Sequence, residues 1–339
     1  MMQALVYEGA WQMPVREMET PKPGPDDVVV SVQAVGICGS DVHGFKGTTG
    51  RRKPPIVMGH EFSGVIASAG AEVKDFKIGD RVIAMPLLTC GYCDACRSGL
   101  YNICMNRSGL GMNLNGAYAE AVRVPQKMLF HLPDNMSWEQ GALVEPLAVA
   151  MHAVNLTPIK LMDPVVIIGA GTIGLLTILS ARLKGAGKII VTDALSHRLE
   201  FARKLGADVT VNVTQEDPVA AVQSQTNGTG APAVIEAVGI TPTVKQSLQM
   251  ARNGGSVTWI GNSDPEVTIN MQQIVTRELT LRGAYGFTQE FGLSLEAIRT
   301  GRIDPTILIE KRANLVEGPQ IIHDLAKGSL DLIKVMLKP

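Results

Sequence analysis

No sign of charge dominates this chain of 339 residues: 31 lysines and arginines face 32 aspartates and glutamates, for a net charge of −1. Proteins that grip nucleic acid or an anionic membrane surface electrostatically carry a basic stripe or a basic balance, so neither partner is expected. Long apolar runs are also lacking. The longest, 165–181, is interrupted by Gly169, Gly171, Thr172, Gly174 and Thr177, which makes it a poor membrane span. The opening MMQALVYEGAWQM has no basic flank, no continuous apolar core and no small-residue cleavage site, so a secretory signal is not expected there. Internal repeats and low-complexity stretches are absent. Cysteine is scarce, five in all. The odd count and metal-type spacing point to a reducing compartment, the cytoplasm by default.

What is present suffices for ordinary globular cores, with 45% of residues apolar. The length suggests about two domains. From Leu5 to about Pro133 the chain reads as short Val- and Ile-rich strands bounded by Gly, Pro or Asp: 28–35, 62–68, 80–85 and 119–124. That pattern predicts a small barrel or sandwich. After Leu161 the pattern changes. VVIIGAG (165–171) and KIIVTDA (188–194) read as buried strands, each followed by a helix, the first closed by Gly185 and the second capped by Ser196 and stopped at Gly206. The alternation continues through DVTVN, AVIEAVG and SVTWIG, which predicts an α/β fold with a doubly wound parallel sheet. The last residues, LDLIKVMLKP, are too few for a domain and are expected to fold back onto the first.

Gly169, Gly171 and Gly174 form a G-x-G-x-x-G between a predicted strand and a predicted helix that opens with Thr172 and Ile173. The first glycine makes the tight turn, the second admits a pyrophosphate to the backbone, and the third lets helix pack on strand. The pyrophosphate then rests on the helix N-terminus. Asp193 ends the next strand, where a carboxylate accepts from the adenosine ribose hydroxyls and disfavours a 2′-phosphate, which selects NAD. Arg198 lies close by and is a second cofactor candidate.

All five cysteines fall into two sets. Cys90, Cys93, Cys96 and Cys104 sit in TCGYCDACRSGLYNIC with C-x2-C-x2-C-x7-C spacing. Four thiolates so close suit a tetrahedral zinc with no open position, hence a structural one. An iron–sulfur cluster fits less well, because the last spacing is long and Met105, not proline, follows Cys104. Cys38, in GICGSDVH, stands apart and is followed by Gly59, His60 and Glu61. One thiolate with a distant histidine and carboxylates suits a mixed-ligand metal site that keeps a position open. Two zinc ions per chain are therefore expected, one closed and one open.

GICGSDVH, GHEFSGVIASAGAEVKDFKIGDRV, the four-cysteine lobe and GAGTIG, in that order, resemble the zinc-dependent alcohol dehydrogenases of the medium-chain dehydrogenase/reductase superfamily. The resemblance covers the whole chain. It implies a GroES-like catalytic domain (1–148) interrupted by a Rossmann domain (149–283) and completed by a return segment (284–339). It also implies that Cys38 and His60 bind the catalytic zinc, with Glu145 in VEPLAVAMHA as the third ligand of the sorbitol dehydrogenase branch and Glu61 as a carboxylate that binds or exchanges with water. Ser40 and His43 match the family's proton relay. The implied activity is transfer of a hydride from a secondary alcohol, a polyol or sugar derivative, to NAD. RGAYGFTQEF (282–291) looks more like the threonine branch, so oxidation of a 3-hydroxy amino acid is the alternative chemistry. A non-catalytic zinc- and nucleotide-binding protein is the alternative of another class. The resemblance implies a homodimer or homotetramer.

Overall fold

Val and Ile alternate with smaller or polar residues in 27–36 and 61–69, and these segments form the two long strands Asp27–Gly36 and Glu61–Ala69, paired antiparallel. Arg81–Ala84, Ala121–Pro125 and Leu129–His131 extend the sheet. The C-terminal strand Lys334–Lys338 closes it, running antiparallel to Asp27–Gly36 and parallel to Ile309–Asn314. This computed structural model describes residues 1–48 and 50–339, and among them the sheet has seven strands. Val28, Val30, Val32, Phe62 and Leu337 turn into one core with Leu5 and Tyr118. Full burial of such side chains contributes about 1.5–3 kcal/mol each, which ties the chain's end to its beginning.

A second sheet is wholly parallel. Its strands lie in the order Val209–Asn212, Ile189–Asp193, Val165–Ile168, Ala231–Glu236, Ala251–Trp259, Thr280–Gly283. Numbered along the chain this is 3-2-1-4-5-6, the doubly wound order of dinucleotide-binding folds. Val166, Ile168, Ile190, Val211, Val234 and Val257 are buried, as near-continuous apolar strands of a parallel sheet must be. Gly185, at φ 97°, ends the helix Thr172–Lys184.

Two compact units result, Met1–Glu145 with Leu295–Pro339, and Pro146–Ser294. The second runs past Gly283, where the sequence suggested a boundary, as far as Ser294. Its last residues are held inside it: Glu290 accepts from Asn155 Nδ2 at 3.0 Å and from Thr288 N at 2.9 Å, and Ser294 Oγ donates to Met151 Sδ. The cap of Ser196–Lys204 also differs from expectation. Leu195 is the N-cap, and the Ser196 hydroxyl instead accepts from Asn212 Nδ2 at 2.9 Å. No helix among the described residues is long and apolar enough to cross a membrane.

Candidate active site

Cys38 ends the turn out of strand Asp27–Gly36 and precedes the helix Gly39–Phe45, while His60 immediately precedes the neighbouring strand and Glu61 begins it. Gly36 and Glu61 face each other in the ladder, so the sheet register itself brings the three ligand candidates together. One ligand atom from each of Cys38, His60 and Glu61 lies within 4.8 Å of the others. Gly59 makes this possible. It sits at φ 89°, and a Cβ there would come 2.5 Å from the Tyr118 ring.

Around these three lies a buried set of charges. Asp41 is fully buried, accepts from Arg52 Nη2 at 2.6 Å and from Tyr118 Oη at 2.8 Å, and stands 3.5 Å from His60 Nδ1. With Nδ1 turned to a carboxylate, Nε2 is the nitrogen left to ligate, the usual arrangement of a metal-binding histidine. Glu61 accepts from Lys334 Nζ at 2.7 Å, and the same ammonium donates to Ile37 O at 3.1 Å. Burial opposes charge on Asp41, yet His60 and Arg52 hold its carboxyl well below the usual range. Burial would likewise lower the His60 pKa, but the charges of Asp41 and Cys38 outweigh it and hold the imidazole well above its ordinary value. Burial pushes the Glu145 carboxyl up to about 7, with the Glu61 charge adding to it. The negative charges that hold a proton on His60 mark a pocket in which a divalent cation would be well placed. Glu145, in the first turn of the helix Val144–Leu156, feels the charges of His60 and Glu61 but stands outside their 4.8 Å cluster.

Ser40 Oγ donates to Cys38 Sγ at 3.3 Å, which places the hydroxyl beside the ligand thiol. His43 lies three residues on in the same short helix, on a neighbouring stretch of its surface. Partial desolvation, then the Lys46 charge, lowers its pKa. Among the described residues no hydrogen bond joins Ser40 to His43.

The four-cysteine lobe forms a separate set. Cys104 Sγ lies 3.5 Å from Cys90 Sγ and 3.9 Å from Cys93 Sγ, and Cys90 and Cys96 are 3.9 Å apart. Four sulfurs at about 2.3 Å from a tetrahedral centre stand about 3.8 Å from one another, so the spacing fits a single zinc. The N–H groups of Tyr92 and Cys93 help bring the Cys90 thiol down to about 6, while desolvation and its three neighbours push Cys96 up to about 11. Four thiols cannot all ionise together without a cation among them.

At the nucleotide turn two of the three glycines, Gly169 and Gly174, are sterically required. Gly169 is at φ 95° with Val238 against it, and a Cβ on Gly174 would fall 1.8 Å from Gly169 O. Gly171 is the N-cap of the helix opening at Thr172 and Ile173, with no side-chain cap, and a helix N-terminus favours an anion. Asp193 Oδ2 accepts from Ala170 N at 2.7 Å and Oδ1 from Leu195 N at 2.9 Å, so the carboxylate is fixed beside the turn. Arg198 Nη1 would lie 3.7 Å from a Cβ on Gly171.

Residues 24–134 match the alcohol dehydrogenase GroES-like domain family, and residues 172–299 match the zinc-binding dehydrogenase family. The chain is 38% identical to L-idonate 5-dehydrogenase of Vitis vinifera, over 96% of this chain and 93% of that one. It is 32% identical to sorbitol dehydrogenase of Bacillus subtilis, over 100% and 97%. The chain belongs to the zinc-dependent medium-chain dehydrogenases. A solved zinc-binding dehydrogenase of Sinorhizobium meliloti, bound to NADP, superposes with a TM-score of 0.94 at 36% identity, covering 100% of this chain and 99% of that one. The medium-chain dehydrogenase fold accounts for the split between the two units, and with it come zinc and a nicotinamide cofactor as the chemistry of the family.

Four residues packed around the Cys38, His60 and Glu61 cluster are given no role by any sequence motif: Asp41, Arg52, Tyr118 and Lys334. Lys334 carries a signal, a lone charge inside the apolar run Leu332–Leu337, since a lysine buried in a strand needs a partner. Arg52 and Tyr118 carry none, because they reach Asp41 from loops 11 and 77 positions further along the chain.

Proposed function

We propose that the chain is an NAD-dependent zinc enzyme that oxidises a secondary alcohol, most closely a polyol or sugar derivative, to the ketone. The observation that carries this reading is the separation of two metal-type clusters: a closed set of four thiols, and an open set of Cys38, His60 and Glu61 with Ser40 beside it. Bound there, zinc would supply a Lewis acid that lowers the pKa of an alcohol hydroxyl, as it lowers that of water to about 7. The dinucleotide would supply the hydride acceptor.

The chain's own residues do the rest. Cys38 and His60 hold the metal, Glu145 is the third ligand, and Glu61 binds or exchanges with water. Asp41, 3.5 Å from His60 Nδ1, orients the imidazole so that Nε2 is the ligating nitrogen. Ser40 Oγ accepts the hydroxyl proton as it releases its own, a ribose hydroxyl of the bound cofactor would bridge the gap to His43, and the lowered pKa of His43 keeps its imidazole neutral and able to accept and hand the proton to solvent. Cys90, Cys93, Cys96 and Cys104 bind a second, structural zinc. Gly169, Gly171, Thr172, Ile173 and Gly174 cradle the pyrophosphate. Asp193 uses its remaining lone pairs to accept from the ribose hydroxyls. The same carboxylate repels a 2′-phosphate. Arg198 near Gly171 favours a second cofactor reading, NADP, which is also what the Sinorhizobium meliloti relative binds.

An absorbance screen for reduced cofactor tests the reading, with polyols, sugars, sugar phosphates, simple alcohols and L-threonine, each with NAD and NADP. Turnover of L-threonine alone would establish the 3-hydroxy amino acid alternative. Dinucleotide binding without turnover of any alcohol would make the chain a non-catalytic zinc- and nucleotide-binding protein. We also propose a cytoplasmic homodimer or homotetramer, which sedimentation velocity reads directly.

A further inference from the structure

Glu236 is fully buried at the end of strand Ala231–Glu236, and its carboxylate is only half used. Oε1 accepts from Val238 N at 2.9 Å and Gly239 N at 2.7 Å. Oε2 is buried with no hydrogen-bond partner among the described residues. A buried carboxylate oxygen without a donor is costly, so its retention calls for a reason.

The surroundings supply one. Glu236 stands where the loops after two adjacent strands meet. Its backbone oxygen accepts from Ile260 N at 2.8 Å and Gly261 N at 3.1 Å, at the end of strand Ala251–Trp259. Gly239, at φ 81°, accepts at its carbonyl from Ser263 N and Asp264 N, and Ser263 Oγ donates to Val238 O at 2.6 Å. The two loops touch backbone to backbone. A Cβ on Gly261 would lie 2.1 Å from Gly239 N and 2.5 Å from Glu236 Oε2. Val238, held by Glu236, packs in turn on Gly169 of the nucleotide turn.

The sheet order gives this assembly its meaning. Strand order reverses between Val165–Ile168 and Ala231–Glu236. In a doubly wound sheet the dinucleotide lies across that reversal, one mononucleotide on each half, outside the carboxyl ends of the strands. Gly169–Gly174 and Asp193 belong to the half that takes the adenosine. The loops 236–241 and 259–264 therefore face the other half of the cofactor.

We propose that Glu236 is a positioning residue for the nicotinamide half: its carboxylate fixes Val238 and Gly239 and packs against Gly261, so that the backbone of loop 236–241 meets loop 259–264 as one surface that holds the nicotinamide nucleoside. The inference rests on a nicotinamide cofactor being bound, and not on the zinc or substrate assignments. Its test is a pair of calorimetric titrations, one with 5′-AMP, which fills only the adenosine half, and one with whichever of NADH and NADPH the wild type binds more tightly. Glu236→Ala and Gly261→Ala should each weaken the reduced dinucleotide by about tenfold or more and leave 5′-AMP within about twofold of wild type. Glu236→Gln should restore dinucleotide binding to within about threefold, because an amide oxygen can still accept from Val238 N and Gly239 N. Equal weakening of both ligands would reduce Glu236 to a general structural role and overturn the proposal, as would unchanged dinucleotide binding. Should Glu236→Ala fail to fold, Gly261→Ala decides by the same two titrations, since it disturbs only the contact between the loops. A wild-type chain that binds 5′-AMP but neither dinucleotide would overturn the cofactor reading and this one with it.

Discussion

Replacing Lys334 by methionine should be among the most damaging single changes far from any loop. Its side chain and that of Glu61 are each 1% exposed, and they meet at 2.7 Å. Burial alone would lower the lysine's pKa, but the Glu61 and Cys38 charges more than offset this and raise it. Lys334→Met leaves the Glu61 carboxylate buried without its cation and removes the donor to Ile37 O. Breaking a buried ion pair in this way costs about 3–5 kcal/mol. That is a large share of a typical domain stability of about 5–15 kcal/mol. Removing both charges is different: Glu61→Gln combined with Lys334→Met should return to within about 1 kcal/mol of wild type, because neither charge then pays for desolvation. Urea unfolding followed by tryptophan fluorescence reads this, as Trp11 and Trp138 both lie in the unit concerned. Added zinc should recover more stability in Lys334→Met than in wild type, since a carboxylate released from Lys334 is free to ligate. The reasoning fails if the single variant loses less than about 1 kcal/mol, or if the double variant is as unstable as the sum of the two single ones.

Cys38→Ser should lose one zinc and nearly all turnover while its melting temperature changes little, because the four-cysteine lobe does not depend on it; metal analysis and thermal melting check both halves. Glu145→Ala should impair zinc retention or turnover by about tenfold or more, against almost nothing for an exposed glutamate such as Glu17; equilibrium dialysis against a weak chelator separates the two. Asp193→Ala removes charge-assisted acceptors worth about 1.5–3 kcal/mol each, so NAD should bind about ten- to hundredfold more weakly and the gap to NADP should narrow, with zinc content unchanged. Glu290 gives a pH signature: burial works against its charge, but bonds from His152, Asn155 and Thr288 hold its carboxyl well below the usual range. A depressed carboxyl stabilises the fold above its unfolded value of about 4.3 and loses that contribution as pH falls. Glu290→Gln should therefore be less stable than wild type near pH 7, with the gap narrowing only as pH falls below about 4 toward the depressed folded value, read from urea midpoints across that range.

The glycine turn, the cysteine lobe and the alternation of strand and helix could be read from the chain because each is a local pattern with a steric or chemical cause. Gly174 is an example: its need for no side chain is set by Gly169, five residues away. Lys334 is the opposite case. Its meeting with Glu61 depends on the register of Lys334–Lys338 against Asp27–Gly36, and of that strand against Glu61–Ala69, neither of which leaves a trace in local sequence. Ser196 shows why caps are hard to place. A serine at a helix start is a fair N-cap until a partner such as Asn212 on the adjacent strand takes its hydroxyl. The end of the second unit was hidden for a similar reason, since Glu290 and Ser294 are held by residues of the helix Val144–Leu156 more than a hundred positions earlier.

The decisive measurement pairs zinc content with turnover in the same samples of wild type and Cys38→Ser. An open catalytic site beside a closed structural one predicts about two zinc per chain and alcohol-dependent cofactor reduction in wild type, and about one zinc with no turnover in the variant. Full turnover in the variant with one zinc missing would contradict it.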